Sequence, residues 1–236
     1  MENNPHYEFP DDEGNFEDEL NDPHANTGDD SPVQISYNAA AFNSAQRNRS
    51  NSLDNTGYED DHGVPVSIKN RIFRGSFLPA MLLLQRGQID VHQVWEPTVG
   101  SQLIHFVAHF GKIKPMRAIV EVFHADVNSR DYRSITPMHS AAIGGEIATL
   151  SYLASCPGIE LNVKDNAGLT PLLYAVSNNH VACFAYLAFE KGADLKVKDV
   201  NGCGVLHWAV YSGSIDILRL IRNTHLINDL NLKDNI

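Results

Sequence analysis

Cysteine is scarce in this chain: three residues in 236, namely Cys156, Cys183 and Cys203. The number is odd and no two stand in Cys-x-x-Cys spacing. A disulfide framework is therefore not expected, and free thiols in a reducing compartment are. Long apolar runs are missing as well. The best of them, Phe77-Leu-Pro-Ala-Met-Leu-Leu-Leu84, is less than half of the ~20 residues that a helix needs to cross a bilayer, and it contains a proline. No membrane span is expected within these residues. The N-terminus is acidic and lacks a basic region followed by an apolar stretch, so a secretory signal is not expected and a cytoplasmic location is.

Basic residues are almost absent from the first quarter. Between Met1 and His62 stand 15 of the 29 acidic residues and two basic ones, Arg47 and Arg49; the remainder is nearly neutral. A nucleic-acid partner wants a basic face, so none is expected. Residues 1–65 are rich in Asn, Asp, Glu, Ser, Gly and Pro, and their sparse apolar residues have no period. Such a segment cannot bury enough surface to offset backbone entropy and reads as a disordered acidic tail. Within it, Arg47 and Arg49 each precede a serine by three residues, Ser50 and Ser52. That pattern suits a kinase with basic preference; the alternative is a random polar stretch. Asp60-Asp61-His62 lies in the same tail without a cysteine-rich context, and no catalysis is assigned to it.

What the chain does contain is a ruler. Asp131, Asp165, Asp199 and Asp234 stand 34, 34 and 35 residues apart. Ile104-His105, Met138-His139, Leu172-Leu173 and Leu206-His207 keep the same step. Self-similarity at this period marks a repeat array, in which each unit buries its apolar face only against its neighbours. Units are expected at 97–130, 131–164, 165–198 and 199–233, with the start of a fifth at 234. Residues 66–96 read as a linker and a degenerate capping repeat, with a helix from Leu78 broken at Gly87. In the second and third units Thr136 and Thr170 stand at N-cap positions directly before Pro137 and Pro171, where a missing N–H costs nothing. Gly168 and Gly202 permit the positive φ of a tight turn. Helical spacing recurs in the second half of each unit, as in Ile147, Leu150, Tyr152 and Leu153, or Val181, Phe184, Tyr186 and Leu187.

These units resemble the ankyrin repeat, whose mark is Asp-x-x-Gly-x-Thr-Pro-Leu-His-x-Ala-Ala with a second helix and Gly-Ala-Asp. Lys191-Gly192-Ala193-Asp194 and His124-Ala125-Asp126 fit the end of that pattern. Departures are local: Ser134 for glycine, Leu173 for histidine, Asn179 for glycine, and Gly204-Val205 for Thr-Pro. The resemblance implies an all-α solenoid of about four full repeats plus degenerate N-terminal and truncated C-terminal units. It implies that His105, His139 and His207 bond backbone between neighbouring repeats rather than share a metal. His180 with Cys183, and Cys203 with His207, stand one turn apart, but two further converging zinc ligands are not evident. No metal, cofactor or catalytic residue is therefore expected. Trp208 is expected to pack against the next repeat.

The resemblance also implies a concave groove lined by turn tips and the ends of first helices. Mapped onto this chain, the expected binding residues are Phe110, Tyr132, Arg133, Ile135, Ile143, Asn166, Leu169, Asn178, Asn201 and Tyr211. Aliphatic and aromatic members predominate and Arg133 carries the one formal charge in the set, so an apolar protein or peptide ligand is expected. A second reading comes from Phe189–Gly213, which looks like the ankyrin repeats of Asp-His-His-Cys-type protein S-acyltransferases (palmitoyltransferases). In that reading the repeats recruit substrates on the cytosolic face of a membrane. Stopping at Asp234-Asn-Ile236 leaves the array's last face unsealed, so truncation of a longer chain at Ile236 is expected. Oligomeric state is not read from the sequence.

Overall fold

The computed structural model describes residues 66–224. The expected tail, with Ser50 and Ser52, and the expected start of a fifth unit lie outside these residues. Among the described residues ten α-helices follow one another in antiparallel pairs: α1 (Val66–Ile72) with α2 (Leu78–Gln85), α3 (Leu103–His109) with α4 (Ile113–Glu121), α5 (Pro137–Gly144) with α6 (Ile147–Leu153), α7 (Pro171–Ser177) with α8 (Val181–Ala185), and α9 (Val205–Tyr211) with α10 (Ile215–Asn223). A π-helical turn, Tyr186–Glu190, continues α8. Among the described residues the solenoid is all-α apart from one short hairpin, in which β1 (Val94–Glu96) pairs antiparallel with β2 (Ser101–Gln102).

Each later layer opens on a carboxylate. Asp131 Oδ1 accepts from the N–H groups of Arg133 and Ile135 at 2.8 and 2.9 Å. Asp165 Oδ1 does the same for Ala167 and Leu169, and Asp199 Oδ1 for Asn201 and Cys203. The turn is thus closed by its own first residue, the Asx arrangement that aspartate favours. The second oxygen is held from different places. Tyr174 OH donates to Asp165 Oδ2 at 2.7 Å, and Trp208 Nε1 to Asp199 Oδ2 at 3.1 Å. In the first unit Glu96 stands one position earlier and accepts from Thr98 Oγ1 at 2.7 Å.

Adjacent turn tips are stitched together. Tyr132 N–H donates to the Val99 carbonyl, Asn166 N–H to Arg133, and Val200 N–H to Ala167. Gly168, at φ +78, lies close under the Asp199–Val200 backbone, where a Cβ would meet the Val200 nitrogen. Ser134 takes the glycine position of its own turn at φ +62, and its hydroxyl donates to Asn166 Oδ1 at 2.7 Å.

The recurring histidines tie one layer to the next. Thr136 N–H donates to His139 Nδ1 at 3.1 Å, so that nitrogen carries no proton. Its Nε2–H then donates to the Leu169 carbonyl at 3.1 Å. His105 repeats the pattern between Gln102 N–H and the Ile135 carbonyl. The third layer has Leu173 there. Thr170 Oγ1 accepts from Leu173 N–H, and the tie to the fourth layer is made by Ser214, whose hydroxyl donates to the Val176 carbonyl at 2.6 Å. Between layers the second helices bury Met116, Ile119, Leu150, Leu153, Cys183, Phe184, Leu187, Ile217 and Ile221. A buried side chain of this size contributes about 2 kcal/mol. At the N-terminal end, Phe73 meets Phe106 edge-to-face at 5.3 Å and Phe77 meets Phe110 at 6.0 Å, so the first pair covers α3.

Burial lowers the pKa of His139 to about 4, against the smaller raising effect of its bond to Leu169, and lowers that of His105. Both are neutral in the folded protein, whereas the unfolded chain takes up their protons below about 6.5. Stability is therefore full above pH 6.5 and falls as the pH drops from 6.5 towards 4, by about 3 kcal/mol for His139 alone. Melting curves across this window should show that loss, and His139→Gln should be less stable at pH 7 yet lose less on acidification.

Candidate protein-binding surface

The expected groove residues divide into three groups. Tyr132 and Tyr211 are largely open, at 66 and 65 % exposure, and so is Val200 at 70 %. Asn166 and Asn201 are exposed at turn tips and Arg133 is half-buried beside them. Apart from Tyr211, which ends α9, these side chains follow the turns of three successive layers. The tips hold them at fixed spacing because Tyr132, Asn166 and Val200 are the residues whose N–H groups make the interlayer bonds. Tyr132 lies over Gly100, where a Cβ would collide with its ring.

Ile135 and Leu169 correct the expectation. They are buried at 3 and 5 % exposure and do not face the groove. They stand four residues after Asp131 and Asp165, which draw their N–H groups inward, while their carbonyls receive His105 and His139. The turn that fixes the tip thus turns these side chains into the core.

Phe110, Ile143 and Asn178 form a third group with structural neighbours. Phe110 packs on Phe77 and against His109, whose ring is 5.2 Å away. The Ile143 carbonyl accepts from His180 Nε2 at 3.0 Å. Asn178 Nδ2 donates to the Tyr174 carbonyl at the end of α7. All three are half-buried at helix ends.

Trp208 packs within its own layer. It bonds Asp199 and meets the Tyr211 ring edge-to-face at 5.8 Å. Together with Asn201, Cys203, Leu206, His207, Val210 and Tyr211 it lines a depression of about 710 Å³. Val210 and Ile215, both well exposed, were missed by the sequence reading. Ile215 belongs to an apolar stripe, and Val210 stands at a position that is apolar in every layer. Their periodicity signals core, and only the absence of cover among the described residues separates them from it.

Electrostatics on this surface are quiet. Arg133 Nη2 lies 3.2 Å from Asp131 Oδ2, which offsets its charge. Burial lowers His109 to about 4, with a bond to the Ser140 backbone opposing and His180 adding to the shift. Burial also raises the thiols of Cys156 and Cys203, and that of Cys183 to about 11, so none is held as a reactive thiolate. Among the described residues no group of three or more His, Cys, Asp or Glu is placed to hold a metal ion, and no helix is long and apolar enough to cross a membrane.

A family model for ankyrin repeats (three copies) matches residues 103–199 and 157–234, more than half of the chain. The chain belongs to the ankyrin-repeat family. No curated protein matches it.

The division into open and buried residues has a direct consequence. Tyr132→Ala and Tyr211→Ala should each change stability by no more than about 0.5 kcal/mol. Ile135→Ala and Leu169→Ala should each cost about 2–4 kcal/mol. Urea denaturation monitored by circular dichroism separates the two classes.

Proposed function

We propose that the protein is a recognition module that binds a protein or peptide across its turn tips and the end of α9, with Tyr132, Arg133, Asn166, Val200, Asn201 and Tyr211 as the contact row. Ankyrin repeats are generally protein–protein interaction modules. The observation that carries the finer reading is the exposure of Tyr132 and Val200 on turns locked by aspartate and interlayer hydrogen bonds, with Tyr211 exposed at the end of α9. Large amphipathic side chains held on a rigid frame lose little entropy on binding. With the Arg133 charge offset, the row suits an apolar ligand more than a strongly charged one. The mechanism is preorganised binding without chemistry, in the cytoplasm.

The alternative keeps the same surface and changes its purpose. If the chain is part of a membrane-bound S-acyltransferase, the row would recruit substrate proteins on the cytosolic side. That reading rests on the likeness of Phe189–Gly213.

A peptide-display selection against the chain tests the binding surface. Selected peptides should carry apolar side chains, and Tyr132→Ala combined with Tyr211→Ala should weaken them at least about tenfold, the loss of roughly 1.4 kcal/mol expected when two anchors go. Peptides that bind the double variant as well as the parent would show that recognition happens elsewhere.

A further inference from the structure

The aspartate that opens each turn uses its second oxygen differently from layer to layer. Asp131 Oδ1 takes two backbone N–H groups, and its Oδ2 takes Nε and Nη2 of Arg133 at 3.4 and 3.2 Å. A carboxylate has about four lone-pair sites, so this one is filled, and a cation of its own turn fills it. Asp199 stands two units later. Its Oδ1 takes the N–H groups of Asn201 and Cys203, and its Oδ2 takes Trp208 Nε1 alone. Asn201 occupies the position that Arg133 has in its turn, so the fourth turn supplies no cation there. Asp199 is half-buried, and one of its lone-pair sites is unused among the described residues.

Aromatic rings stand beside that carboxylate. Trp208 sets the edge of its indole on Oδ2, and the Tyr211 ring meets the indole with 83° between the planes, so the two form a corner rather than a stack. The third layer has no such corner. Tyr174, which makes the same bond to Asp165, is buried, and Ser177 stands where Tyr211 would. Trp208 is half-buried and Tyr211 open, and both line the depression with Asp199, Leu206 and Val210. An aromatic face attracts a cation through its quadrupole. A carboxylate, an aromatic corner and aliphatic walls in one depression match a side chain with an apolar stem and a cationic head.

We propose that this depression is the anchor pocket for a lysine side chain of the peptide ligand, an inference that rests on the contact row proposed above. The stem lies along Leu206 and Val210. The ammonium sits against the corner of Trp208 and Tyr211 and donates one hydrogen bond to Asp199 Oδ2. Lysine fits better than arginine. With three lone-pair sites in use, Asp199 has no free edge for a two-pronged guanidinium, whereas an ammonium is a compact charge that needs one acceptor. Away from this pocket the ligand stays apolar, because the Arg133 charge is already offset at the tips.

The first arm of the test needs no peptide. n-Butylammonium chloride, titrated into the isotope-labelled chain at constant ionic strength, should shift the indole N–H resonance of Trp208 saturably and leave that of the buried Trp95 in place. Trp208→Phe assigns the signal. Butan-1-ol, of similar length and neutral, should bind at least about fivefold more weakly, and Tyr211→Leu should weaken butylammonium by about threefold or more at an unchanged melting temperature. Tyr211→Phe keeps the ring and should bind as the parent does. Asp199→Asn keeps an acceptor for the turn and should weaken butylammonium at least about fivefold; if that turn does not fold, Tyr211→Leu decides. In the second arm, display-selected peptides should contain a lysine whose replacement by norleucine weakens binding about tenfold. A Trp208 resonance that does not move, equal binding of butan-1-ol, or indifference to Tyr211→Leu overturns the pocket. So do selected peptides that lose nothing on the lysine replacement or carry no lysine; if these still weaken on Tyr132→Ala, the contact row stands without the pocket.

Discussion

One carboxylate per layer sets the geometry of everything around it. Asp131 and Asp165 are almost wholly buried, and an ion in that position is tolerated only when its lone pairs are used. They are used twice over. One oxygen gathers two backbone N–H groups and so bends the chain into the turn. The other takes Arg133 in one layer and Tyr174 in the next, which fixes the turn to its own arm or its own helix. Because the turn is fixed, the N–H that emerges from it meets the carbonyl of the preceding tip, and the layers stack at one spacing.

The histidine tie depends on that placement. His139 reaches the Leu169 carbonyl only because Asp165 has turned residue 169 inward. The tie in turn requires a neutral ring of one tautomer, which burial and the Thr136 N–H both enforce. Where the sequence substitutes leucine at position 173, the layer contact is kept by another route, through Ser214 and the Val176 carbonyl. The array therefore tolerates loss of one motif residue because several weak ties act in parallel across each interface.

The same constraint separates surface from core within a single turn. Tyr132 and Ile135 are three residues apart, yet one is open to solvent and the other is buried. Both are large and carry substantial apolar surface, and the Tyr132 hydroxyl alone does not assign one to solvent and the other to the core. The hydrogen bonds of Asp131 decide it. Likewise Phe110 has the composition of a ligand contact and the position of a packing residue, because the preceding helix pair brings Phe77 against it.

The sequence by itself determined the period, the family and the helix pairs, because a 34-residue spacing of aspartate, histidine and small residues recurs in register and each part has a local physical reason. Thr-Pro starts a helix, glycine admits positive φ, and periodic aliphatics bury one face. It also marked Tyr132, Asn166, Asn201 and Tyr211 as residues without a core duty in the repeat. Only the tertiary structure decided that Ile135 and Leu169 turn inward and that Val210 is left uncovered. Burial of a side chain depends on which neighbour lies over it, and that neighbour is 30 or more residues away in the chain. Periodicity places a residue on a face; contact between layers determines whether that face meets water.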